Sequence, residues 1–285
     1  MPPEKDTSSV SGLDLKPTID FYTANADTLY RRVSDDLPAA KDSVQLPQLE
    51  AEVEQFLDQD TVLKILSLFP DESLGRSILR KILFKNSLWF EKESTPTTPR
   101  VTNNPSEALS ETAIIPSYTD YGSPSIEAGK LAADIHLYAI HSAGDSRIAK
   151  IITVQGLVHE IAHCVSAQII WGDDCNLAFK DGTLMDGTLM DGMSFIAKFC
   201  ELTENLPSMS HYSGFYRNAD GSYPGGSNAQ EVQKLLIAAS EELAESITAY
   251  LLGFTYCEDN PERCLDPFKD RPMVRDLVAK FLEAE

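Results

Sequence analysis

Residues 147–171 read RIAKIITVQGLVHEIAHCVSAQIIW. Apolar side chains occur on nearly every side of the 3.6-residue repeat, which is the pattern of a helix buried all round. Near its middle stand His159, Glu160 and His163. Residues four apart lie one turn above each other on one helix face, so the two imidazoles can hold one metal ion through ring nitrogens. Glu160 projects about 100° further round. It is poorly placed to share the ligand position, but it can reach a water on the metal. With five histidines in 285 residues, the spacing His-Glu-x-x-His arises by chance in about 1 of 150 such chains. Its surroundings sharpen it. Two imidazoles and a carboxylate among Ile, Val, Leu, Ala and Cys are costly to bury unless they are paired or metal-bound.

A catalytic zinc usually takes three protein ligands and keeps one open position. A second long helix, predicted over 229–256, carries Glu241-Glu242-Leu243-Ala244-Glu245. On its wheel Val232, Leu236, Ala239, Leu243, Ile247, Tyr250 and Phe254 form the main apolar stripe, extended on one side by Ile237, Ala244 and Leu251. Glu241 borders that extension and is the acid expected to point into the protein. Glu242 and Glu245 fall nearer the polar face, with Glu231 and Lys234. Glu245, one turn beyond Glu241, could support a ligand histidine from outside. Asp173 and Asp174, just past the first helix, are the competing third ligands.

His-Glu-x-x-His followed by a later helix with Glu-x-x-Ala-Glu resembles the gluzincin clan of zincin metallopeptidases, and the second motif is similar to that of the neutral-zinc toxin peptidases. The resemblance covers residues 159–163 and 241–245 only. It implies zinc held by His159, His163 and Glu241, with Glu160 as the general base and Glu245 supporting the site. It also implies a strand before the active helix that runs along the cleft and pairs with extended substrate. The chain lacks the His-Glu-x-x-His-x-x-Gly-x-x-His of the metzincins and the Gly-Thr-x-Asp of the aspzincins.

Working outward, residues 134–141, DIHLYAIH, read as a strand with Ile135, Leu137, Ala139 and Ile140 inward and His136 and Tyr138 on the other face. Amphipathic helices are predicted over 48–69 and 72–84, separated at Pro70, and further helices over 193–204 and 272–284. Residues 94–127 read as loop with a short strand near Ala113 to Ile115. The repeat DGTLMDGTLMDGM at 181–193 reads as a duplicated surface loop whose spacing does not fit an EF-hand. Residues 205–228 form a long Gly/Ser/Tyr-rich loop of the kind that shapes a cleft. It carries His211, Tyr212, Tyr216 and Tyr223 and, with Tyr250 on the next helix, offers donors for a developing oxyanion, of which His211 and Tyr212 are chosen. The expected division is a loose arm over 1–18, a helical N-terminal subdomain over 19–92 and a catalytic domain over 93–285. The expected fold class is α+β, mostly helical and zincin-like, with a small mixed or antiparallel sheet.

The net charge of −20 disfavours nucleic acid and anionic membrane surfaces as partners. The N-terminus shows no basic and apolar leader, and the apolar run Ile151–Trp171 is broken by Gln155, His159, Glu160, His163 and Gln168. A cytoplasmic protein without signal peptide or membrane span is expected. Five cysteines without a CxxC pair read as reduced thiols, with Cys257 and Cys264 able to pair only if the protein is exported. The expected activity is hydrolysis of a peptide or protein substrate by Zn2+-activated water. The alternatives are a zincin-type enzyme acting on a small non-peptide substrate and a non-catalytic zinc-binding module.

Overall fold

In the computed structural model the described residues are 15–49, 57–85, 88–91, 100–102, 113–115, 117–120, 132–138, 145–171, 176–177, 190–214, 216–226, 228–255 and 261–284. The chain enters through α1 (Leu15–Ala24), α2 (Ala26–Arg32), β1 (Gln48–Leu49), α3 (Gln59–Leu66) and α4 (Asp71–Arg76). Strands β2 (Leu79–Lys85), β3 (Leu88–Glu91), β4 (Arg100–Thr102), β5 (Ala113–Ile115), β6 (Ser117–Asp120) and β7 (Ala133–Tyr138) follow. The second half holds α5 (Ser146–Trp171), β8 (Asn176–Leu177), β9 (Met190–Asp191), α6 (Gly192–Thr203), α7 (His211–Gly214), α8 (Ala229–Leu252), α9 (Pro261–Leu265) and α10 (Pro272–Glu283). The fold is α+β and mostly helical.

The main sheet has the order β1-β2-β7-β6. Strands β1, β2 and β7 run parallel, and β6 joins the far edge of β7 antiparallel. The body of the small sheet is thus parallel, not antiparallel. Along β7, Ala133, Ile135 and Leu137 are buried while Asp134 and His136 take the other face. That is the two-residue alternation expected of a strand with one face on the core. Asp134 receives the Arg80 guanidinium through two hydrogen bonds of 2.7–2.8 Å across β2 and β7. Strand β7 is therefore an inner strand, and the sheet edge next to α5 belongs to β6. A second sheet, β4-β3-β5, and the pair β8-β9 are antiparallel.

Two predicted helices are corrected here. The segment 72–84 is helical only over Asp71–Arg76 and then becomes β2. Its helix-like spacing has a local cause. Strand β2 is an inner strand, and Ile82 and Leu83, opposite Ile135 and His136 on its two faces, are both buried, so its apolar residues do not alternate. The segment 48–69 begins as β1, and α3 starts only at Gln59, where the Asp58 carboxylate accepts the Thr61 N–H at 2.7 Å and caps the helix. Of the loose arm, residues 1–14 lie outside the described residues and Leu15 to Thr18 form the first turn of α1. Ala139, Ile140, His141, Cys257 and the repeat up to residue 189 also lie outside them.

One cluster of buried side chains runs from Tyr22, Leu29 and Val33 through Ile65, Ile82 and Ile135 to Phe195, Leu243 and Phe281. Helix α5 is its axis: Ile151, Val154, Leu157, Val158, Ile161, Ala162, Cys164 and Val165 are all fully buried. By length and composition Ser146–Ala167 could cross a membrane, but 78% of that window is buried inside the protein. Its closest helical partner is α8, whose Ala238, Ala239 and Ala244 are fully buried. Side chains that small let two backbones approach closely. Buried hydroxyls on both helices return to their own backbone, Ser166 to the Ala162 carbonyl and Thr248 to that of Ala244.

Both ends of α8 are fixed. Asn228 and Glu231 form a reciprocal capping box at its start. At its end Gly253 takes a left-handed conformation, φ 74°, which a side chain would strain. The Gly253 carbonyl accepts a hydrogen bond from Arg32, at the end of α2. From α1, Tyr22 donates a 2.6 Å hydrogen bond to Gln155 of α5, one turn before His159.

Candidate metal centre

Helices α5 and α8 face each other with His159 and His163 on one and Glu241 on the other, and these three residues form a group able to hold an ion. The rings meet edge to face, with centroids 4.6 Å apart. Nε2 of His159 and Nε2 of His163 are 3.0 Å apart, and Oε2 of Glu241 lies 3.4 Å from each. At those positions the carboxylate oxygen meets neither ring in hydrogen-bond geometry, and no donor among the described residues satisfies it although it is buried. A tetrahedral zinc with bonds of about 2.0–2.1 Å spaces its donors about 3.3–3.4 Å apart. Oε2 of Glu241 already sits at that spacing from both nitrogens, the two nitrogens stand closer together at 3.0 Å, and the three are two imidazole nitrogens and a carboxylate oxygen, a catalytic-zinc donor set. The residues fit the ion.

Each ring is held from behind. Nδ1 of His163 lies 3.1 Å from the Ser240 hydroxyl, and Nδ1 of His159 lies 2.9 Å from Oε1 of Glu245. The Ser240 hydroxyl is within hydrogen-bond reach of Nδ1 of His163 and the Glu245 carboxylate lies against Nδ1 of His159; a proton on each Nδ1 would leave the Nε2 lone pairs turned towards Glu241. The Glu245 carboxylate is in turn 3.4 Å from the Thr255 hydroxyl, which donates to its Oε2. Ser240, Glu241 and Glu245 all come from one turn and a half of α8. Ser240 was invisible in the sequence, because a serine inside a long helix carries no signal until its neighbour across the interface is known.

His159, Glu160 and His163 are 4–7% exposed, and the Glu241 side chain 15%. The site is therefore sunk in protein. Burial works against a charged His159, but the neighbouring Glu241 and Glu245 and the charge of Glu160 outweigh it and hold its pKa well above the usual imidazole value. Burial would likewise raise Glu241, yet the charge of His163 and the nearness of both rings hold its carboxyl well below the usual range. Without an ion, a proton is favoured on His159 and disfavoured on Glu241.

Set against known proteins, the chain matches no family model, no curated protein and no solved structure. The geometry above carries the functional argument alone.

The other sequence candidates fall elsewhere. Glu242 was placed near the polar face, but its carboxylate is fully buried on the side away from the histidines. It accepts the Met209 N–H at 2.8 Å and the Ser213 hydroxyl at 2.7 Å, and pairs with Arg217 at 3.1 Å and Arg271 at 3.7 Å. Glu245, given to the same face, is buried against His159. The wheel misled because α8 is covered by α5 on one side and by α6, α7 and α10 on others, so its polar face is interior too. Conversely Val232, from the apolar stripe, is 38% exposed. Tyr223 is engaged by Thr203 and Arg217 through its hydroxyl, and Tyr250 packs on Phe268. His211 and Tyr212 lie on the one-turn α7, and their side chains are outside the described part of the structure, as are Asp173 and Asp174.

Proposed function

We propose that this chain is a zinc-dependent hydrolase, a metallopeptidase of zincin type, with His159, His163 and Glu241 as the zinc ligands. The observation that carries the reading is the convergence of two Nε2 atoms and an unsatisfied carboxylate oxygen within 3.4 Å of one another, with both Nδ1 atoms turned outward to partners. A three-donor set leaves a coordination position open, which suits catalysis better than a closed structural site.

Zinc in such a site supplies Lewis acidity, polarising a carbonyl and making water acidic near neutral pH. The work of the chain is to hold the donors and move the proton. The Glu160 carboxylate takes a proton from the attacking water as the new C–O bond forms. It returns that proton to the amine nitrogen as the C–N bond breaks. Glu245 and Ser240 keep the two rings in register throughout. His211 and Tyr212 are proposed as donors to the developing oxyanion. The main-chain edge for an extended peptide is that of β6, since β7 is paired on both sides and β6 packs against α5.

The test is metal analysis of the wild type beside Glu160→Gln and Glu241→Ala, with cleavage of a peptide library. Glu160→Gln is expected to keep zinc and lose turnover by roughly 10²–10⁴-fold, and Glu241→Ala to lose most zinc. Full activity in Glu160→Gln refutes the general base, and unchanged zinc in Glu241→Ala refutes the ligand set.

A further inference from the structure

The geometry points to Glu242 as a positioning residue that locks the rotation of α8 and so sets the metal centre; this rests on the proposed ligand set above. Consecutive helix residues project about 100° apart. Glu241 therefore faces the histidines of α5 while Glu242 faces another wall, built by residues 203–214, 216–223 and the start of α10. That wall grips the Glu242 carboxylate at both oxygens. Met209 N–H and Arg217 meet Oε1, with Arg271 at 3.7 Å from the same oxygen, and the Ser213 hydroxyl meets Oε2. The wall is itself tied down by buried guanidinium groups. Arg217 donates to the carbonyls of Thr203, Leu206 and Gly221, Arg263 to that of Ser208 and Arg271 to that of Pro207.

The magnitude of a helix twist decides why this matters. A side-chain atom about 5 Å from the axis moves about 0.9 Å when its helix turns by about 10°. Metal bonds tolerate about 0.2 Å. Apolar packing is non-directional and resists a small twist weakly, whereas a carboxylate held at both oxygens resists it strongly. Because Ser240, Glu241 and Glu245 ride on the same turn, one slip would misplace a ligand and both supports of the histidines together. The same lock joins α8 to the backbone that carries His211 and Tyr212.

The experiment uses the full-length chain and three readouts: zinc affinity by competition with a chromophoric chelator, the visible spectrum of the cobalt(II)-loaded protein, and thermal unfolding. Glu242→Gln is expected to weaken zinc about tenfold or more and to shift the cobalt bands. Ser213→Ala, which removes one contact and leaves the charges, should weaken zinc a few-fold in the same direction, and it carries the test if Glu242→Gln does not fold. Val62→Ala, in the core on α3, lowers the melting temperature but leaves zinc affinity and the cobalt spectrum at wild-type values. Wild-type affinity and spectrum in the folded Glu242 and Ser213 variants overturns the lock, as does an equal loss of zinc in Val62→Ala. Glu241→Ala separates the two ideas. If it loses zinc while Glu242→Gln does not, only the lock fails; if the wild type binds no zinc, the metal centre falls and the lock with it.

Discussion

At the scale of single residues, the centre depends on what stands behind the ligands as much as on the ligands. Ser240→Ala and Glu245→Gln leave all three donors in place, yet each is expected to weaken zinc by about 10–100-fold, measured by chelator competition. The direction of the His159 shift gives a second test. A ring whose pKa is raised holds its proton near neutral pH in the ion-free protein, and a metal can bind only the neutral ring. Zinc uptake at pH 7 should therefore expel about one proton, and affinity should fall as pH is lowered. Calorimetry in buffers of different ionisation enthalpy counts that proton. The sequence brought His159 and His163 together because helical spacing puts residues four apart on one face, and pointed to Glu241 because it borders the apolar stripe of its own helix. It could not separate Glu242 from a solvated acid, since its partners Arg217 and Arg271 lie 25 and 29 residues away along the chain and meet it only in the fold.

At the scale of elements, α5, α6, α8 and α10 were legible because each is long, periodic and bounded by capping or breaking residues. Strand β2 was not, because an inner strand that buries consecutive residues, Ile82 and Leu83, loses the alternation that marks a strand. The pairing of β6 with β7 was equally hidden, for no local pattern says which neighbour a strand will find. The ends of α8 matter most for the site. Gly253→Ala forces a β-carbon into a left-handed residue, 3.3 Å from the Arg32 guanidinium. It should cost about 1–2 kcal/mol in denaturant unfolding. Asn228→Ala, at the other end, removes the capping box and should cost about 1 kcal/mol.

At the scale of the whole molecule, the ion would add a further link between two helices already joined by His163 with Ser240 and His159 with Glu245. A ligand at about 1,000 times its dissociation constant adds about 4 kcal/mol to folding stability. For a chain of this size that corresponds to a melting temperature on the order of 10 °C higher. Excess chelator should remove that increment from the wild type and change little in Glu241→Ala, as calorimetry or fluorescence melting would record. The first two helices also have a stake in this stability. Tyr22 anchors Gln155 one turn below His159, and Arg32 closes the last turn of α8 at Gly253. A truncated protein lacking the leading 33 residues would keep every ligand and every support around the ion. It would nonetheless leave both ion-bearing helices unbraced at one end, and should shed its zinc on dilution faster than the intact chain.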